Sequence, residues 1–153
     1  MRYSTKISGL IAVIILGACT VTKTICPCEA PEIIRLGNKE VEINAQISLI
    51  DTTESCRMNV KIWLTTPDHT TLPTNFVADY YYLRSSDLVR DAFEGKFIQV
   101  NIDSTKEIME LEAIDAPHWE QGELVDVAVH MVDSRGKVHF LKKGALPVQP
   151  ANH

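Results

Sequence analysis

Cys26-Pro27-Cys28 is the first place in this chain where residue types and spacing could do chemistry. Pro27 fixes φ between the two thiols and the ring that a mutual disulfide would close is short, so the pair suits Cu(I) or Zn better than a Cys26–Cys28 bridge. A zinc-finger site would need a second Cys pair, and the sequence has none. His130 and His139 form the second constellation. If Val132 pairs with Lys137 around the turn Asp133-Ser134-Arg135-Gly136, the two imidazoles stand opposite each other on the outer face of a hairpin, about 5 Å apart at Cβ. Neutral imidazoles so placed are good Zn or Cu ligands, yet two ligands make no tight site. Two solvated histidines are the simpler expectation, and the same holds for His69 and His118. Glu110 and Glu112 would share a strand face about 7 Å apart, within the range of glycosidase carboxylates. Acids alternating with Met109, Leu111 and Ala113 are more simply the wet side of a strand. No Gly-x-Ser-x-Gly, His-Glu-x-x-His or Gly-rich phosphate loop is present. The residues therefore point to a protein that is not an enzyme and needs no cofactor.

The elements that must position these residues are strands. Val41, Ile43, Ala45, Ile47 and Leu49 alternate with Glu40, Glu42, Asn44, Gln46 and Ser48, the period of a half-buried strand. After the polar turn 51–55, Cys56, Met58, Val60, Ile62 and Leu64 share one parity and Trp63 takes the other. Pro67 and Pro73 bracket a loop. Phe76 to Leu83 is aromatic and β-prone, with Tyr80-Tyr81-Tyr82 sending rings to both faces. Residues 86–94 offer a capping Ser86, early acids and a stop at Gly95, which predicts one short helix. Strand patterns resume at 97–102 and 108–114, and Val125, Val127, Val129 and Met131 lead through the Asp133–Gly136 turn to Val138 and Phe140. About seven short strands, one helix and no βαβ alternation predict an all-β fold, an antiparallel β-sandwich.

At the front of the chain, Arg2 and Lys6 precede an uncharged stretch, Ile7 to Ala18, too short to span a bilayer, which takes about 20 apolar residues. Basic flank, apolar run and small residues together read as a secretory signal peptide. The stretch ends Leu16-Gly17-Ala18-Cys19, which resembles the lipobox of bacterial lipoproteins. That resemblance implies cleavage before Cys19 and acylation of its thiol and new amino group, and several acyl chains make a stable anchor. Thr20 rather than Asp after the Cys implies the outer membrane over the inner. A second resemblance is carried by Trp119 to Val129 followed by Asp133 to Val138, which is similar to the closing hairpin of immunoglobulin-like and fibronectin-like domains. A transthyretin-like sandwich would show much the same pattern.

The chain of 153 residues, 45% apolar and 23% charged, is suited to one globular domain and excludes a collagen, a coiled coil and a wholly disordered chain. It divides into a signal peptide at 1–18, a lipidated Cys19 with a tether to 37, a β-sandwich domain at 38–143 and an irregular tail at 144–153. Loss of Arg2 and Lys6 leaves a mature net charge of about −7 with no basic cluster, which disfavours nucleic acid. An exported chain meets oxidising conditions, and with Cys19 committed to lipid an odd number of cysteines remains. Cys56 is expected to bridge to Cys28, with Cys26 as the alternative partner, pinning the tether to the domain. Cys26, Cys28, His130 and His139 are the weak metal candidates. Trp63 and Tyr81, as outward aromatics, are the candidate binding residues. The expectation is a membrane-anchored scaffold or accessory domain on the periplasmic face, held by membrane lipid through Cys19 and binding another envelope protein. The alternative is a copper- or zinc-handling or thiol-active lipoprotein using Cys-Pro-Cys.

Overall fold

A computed structural model describes residues 27–50, 57–86, 93–116 and 119–151. After a 3-10 turn at Pro27–Glu29, these residues form nine strands: β1 (Ile33–Leu36), β2 (Lys39–Ile50), β3 (Arg57–Thr65), β4 (Phe76–Ser85), β5 (Phe93–Lys96), β6 (Gln99–Ile102), β7 (Ile108–Ala116), β8 (Leu124–Asp133) and β9 (Val138–Gln149). The strand order is β5-β4-β8-β9-β2-β3-β7-β6, with β1 added on β2. The fold is all-β, as the period-two patterns predict. It is a curled, mixed sheet, because β9 runs antiparallel to β8 and then pairs parallel with β2 at Ile47 and Ser48.

The β2–β3 hairpin is the part that alternation alone dictates. Ala45 pairs with Ile62 and Ile47 with Val60, and both residues of each pair are buried, while Asn44, Trp63 and Lys61 lie on the other side. Across the enclosed core, Val125, Val127, Val129 and Met131 of β8 and Leu141 of β9 face Met58, Ile62, Leu64 and Leu111, all of them fully buried. Each such Ile, Leu or Met contributes about 1.5–3 kcal/mol by leaving water.

Three expectations about boundaries are corrected. Residues 144–149 are not an irregular tail: β9 runs to Gln149, and Val148 is buried beside Ile47. The second half of the expected tether is packed onto the domain, since β1 lines β2, Ala30 and Leu36 are buried, and the Lys142 amide donates to the Pro31 carbonyl. The helix expected at 86–94 is absent at both of its described ends. Ser86 is a turn that hydrogen-bonds back to Leu124, and Phe93 and Glu94 open β5 against Leu83 and Tyr82; residues 87–92 lie outside the described residues.

Within β4 the alternation changes phase. Ala78 pairs with Met131 and Tyr80 with His130, so Asp79 is an extra, bulged residue. Phe76 and Ala78 are buried before it, and Tyr81 and Leu83 after it. A bulge moves every following side chain to the opposite face. Tyr81 therefore points into the core, where its cross-strand partner is Gly95. A Cβ on Gly95 would lie 2.5 Å from the Tyr81 ring, so the glycine makes room for the aromatic group.

Candidate functional site: the outer face of β4, β8 and β9

The Asp79 bulge gives the outer face of β4 the sequence Tyr80, Tyr82, Arg84. Their partners on β8 are His130, Ala128 and Asp126, and on β9 the row continues with Phe140 and Lys142. At one end the rings meet edge to face: His130 lies 5.9 Å from Tyr80 and 5.2 Å from Phe140, and Tyr82 lies 5.9 Å from Phe140. Such contacts add about 0.5–1.5 kcal/mol each beyond area burial. The Lys96 ammonium sits 5.4 Å above the Tyr80 ring. The bulged Asp79 places its carboxylate 2.5 Å from His130 Nδ1 and so orients the ring. Burial, followed by the Glu94 carboxylate, pushes the Tyr82 hydroxyl above its ordinary pKa. Among the described residues, His130 is thus held by Asp79 at its Nδ1 and by the rings of Tyr80 and Phe140.

The histidine pair predicted for the β8–β9 hairpin is not formed. Val132 pairs with Val138, so His130 faces Phe140 and Met131 faces His139. The expected register had Val132 on Lys137. The difference of one residue follows from Asp133, whose carboxylate accepts the amides of both Arg135 and Lys137 and so takes Lys137 into the turn. A slip of one residue exchanges faces. His139 shares the side of Met131, at the rim, and its Nε2 lies 3.1 Å from Asp133 Oδ2. Asp133 is pulled down to about 2 by the His139 contact first and the Lys137 amide second. Among the described residues no three His, Cys, Asp or Glu side chains converge on one point.

Cys28 is disulfide-bonded, and its partner lies outside the described residues, as do Cys19, Cys26 and Cys56. His118 lies outside them too. His69 sits in the 66–73 loop with a positive φ of 53°, beside the exchange of hydrogen bonds between Thr66 and Thr70. Glu110 and Glu112 are on the polar side of β7, as alternation predicts, and are engaged: Glu110 accepts from Trp63 Nε1 at 2.9 Å and Glu112 from Asn59 at 3.0 Å. Trp63 faces outward as expected, half-buried on the polar side of β3 opposite Asn44 of β2. Tyr81 does not: at 2% exposed it cannot meet a partner, and Tyr80 and Tyr82 take the outward positions assigned to it.

Arg84, Asp126 and Lys142 belong to no motif in the sequence. With Pro27, Cys28, Tyr82 and Ala128 they line a small open pocket of about 70 Å³ where the 3-10 turn crosses the sheet. The strand expected at 97–102 is present as β6, whose four residues are all exposed. Alternation would have placed Asp126 and Lys142 on a polar face, but nothing local signals that a turn 114 residues away roofs them. Compared with known proteins, the chain matches no family model, no curated protein and no solved structure.

Proposed function

We propose that this chain is a lipid-anchored envelope domain that binds another protein and catalyses no reaction. The observation that carries the reading is β6. It ends the strand order, so its outward backbone groups have no strand partner among the described residues. Ile98, Val100 and Ile102, spaced two apart along this edge, are all about half exposed, on the side of the sheet shared with Met109 and Leu111 of β7. Edges of this kind are normally blunted by charge, proline or a covering loop. One left open and apolar suits addition of an extended segment, with main-chain hydrogen bonds supplying affinity and alternate side chains specificity. The occupant is an extended stretch of another envelope protein. The lipobox resemblance at Leu16–Cys19 supports the location, because acyl chains on Cys19 would hold the domain at the membrane within reach of such a partner.

The test is photo-crosslinking of the full chain in intact cells, with a photoreactive residue at Val100 or Ile102 and, as control, at the exposed Arg135 of the β8–β9 turn. A discrete adduct with one envelope protein from the β6 positions and not from 135 is the expected result. Equal labelling from all three positions, or none from β6, overturns the reading.

A further inference from the structure

Strand register sets Arg84 of β4 directly opposite Asp126 of β8. Cross-strand pairs of opposite charge normally join, and here they do not. Asp126 Oδ1 accepts from Ser86 Oγ at 2.6 Å and from the Ala145 amide at 2.9 Å, while Oδ2 lies 3.5 Å from Lys142 Nζ. The Ala145 amide is available because β9 bulges at this point. Val125 pairs with Leu146 and Val127 with Lys143, Ala145 takes a positive φ of 54°, and the neighbouring Gly144 leaves room for the carboxylate. Although burial opposes it, these hydrogen bonds and Lys142 hold the Asp126 carboxyl below its ordinary value, so it is ionised and fully engaged.

Arg84 is left over. Its Nε is buried without a hydrogen-bond partner, and the guanidinium forms no ion pair among the described residues. A buried N–H of a charged group left in this state is costly, and a group in that condition calls for an explanation. The pocket provides one. Lys142 is partly occupied by the Cys28 carbonyl and Asp126, so the two cations and one anion that line the cavity leave one positive charge unmatched. Tyr82, Ala128 and Pro27 make the remaining walls largely apolar.

We propose that this pocket binds a single carboxylate carried on a small apolar group, with Arg84 presenting its planar fork to the two oxygens and Lys142 adding a second cation at the rim. A guanidinium is suited to this because its donors match carboxylate geometry and are held rigidly in plane. The ligand chemistry has two natural sources, a free short-chain acid and the carboxyl terminus of a polypeptide. The pocket is far from β6 in the strand order, and the inference does not rest on the docking role of that edge.

The test follows the Nε–Hε signal of Arg84 by NMR in the full chain, labelled with ¹⁵N-arginine in a non-ionic detergent and assigned by its loss in Arg84→Lys. The probes are isobutyrate, N-acetyl-Ala-Val with a free carboxyl terminus, and the same peptide as its carboxamide. A saturable shift with at least one of the two acids and none with the carboxamide is the expected result. Stronger binding of the peptide acid names a chain terminus as the ligand, and an equal or stronger response to isobutyrate names a small acid. Arg84→Lys, which keeps the charge and loses the fork, is expected to weaken binding about tenfold, read from other signals lining the pocket. No shift with either acid, or the same shift with the carboxamide, overturns the proposal in the unmutated protein, whatever the variant does to folding.

Discussion

Asp133 shows how one side chain can fix the geometry of a hairpin. Its carboxylate accepts two turn amides and contacts His139, and these together bring its pKa to about 2. The group is depressed relative to the unfolded value near 3.9, so the stability it gives is fully present above about pH 4. That contribution is lost as pH falls from about 4 through 2. Carboxyl chemical shifts should give an Asp133 midpoint near 2, and the Arg135 and Lys137 amides should lose exchange protection over the same interval; a midpoint near 4 would show that the caging does not operate. Gly95 shows the complementary case of a missing side chain. Gly95→Ala places a methyl against the Tyr81 ring and is expected to destabilise by about 1–3 kcal/mol in urea melts, as overpacking does. Combining it with Tyr81→Leu should give less than the sum of the two separate effects, because the two residues share one space.

At the scale of the strand, the two bulges do most to shape the candidate surfaces. The Asp79 bulge turns Tyr80, Tyr82 and Arg84 outward and Tyr81 inward. The bulge in β9 holds Ala145 at a positive φ, which costs an L-residue about 1–2 kcal/mol that glycine avoids. Glycine in turn loses about 0.5–1 kcal/mol through its freer unfolded chain. Ala145→Gly is therefore expected to be neutral to about 1 kcal/mol stabilising. Ala113→Gly, at a fully buried position of β7 paired with Val60, should destabilise by about 1 kcal/mol or more. Denaturant midpoints of the two variants should move in different directions or by clearly different amounts.

At the scale of the whole molecule, two questions concern how the chain is tied together and held in place. Cys28 is disulfide-bonded, and Cys56 is its expected partner. Non-reducing peptide mapping checks this: a Cys28–Cys56 peptide pair is the expected result, and a pair joining Cys28 to another cysteine overturns it. For the anchor, Cys19→Ser in the full chain should release it from the membrane fraction and leave the signal peptide unprocessed at this site; unchanged fractionation would remove the lipid anchor.

Alternation of apolar and polar residues was enough to determine β2, β3, the inward side of β8 and the all-β class, because burying one face of a strand imposes a period of two wherever pairing is regular. It also placed Glu110 and Glu112 on a polar side and Trp63 outward. The lipobox resemblance at Leu16–Cys19 is likewise local, and the proposed membrane location rests on it alone. Tertiary structure decided what a single inserted residue can reverse: the inward turn of Tyr81, the separation of His130 from His139, and the isolation of Arg84 from the aspartate opposite it. Each depends on a hydrogen bond or a packing contact with another segment of chain, such as Asp133 on the Lys137 amide, the Tyr81 ring over Gly95, or Asp126 on the amide of Ala145. A period-two pattern gives the parity of a strand but not the point at which the parity changes, and in this protein those points shape the outer face of β4, β8 and β9.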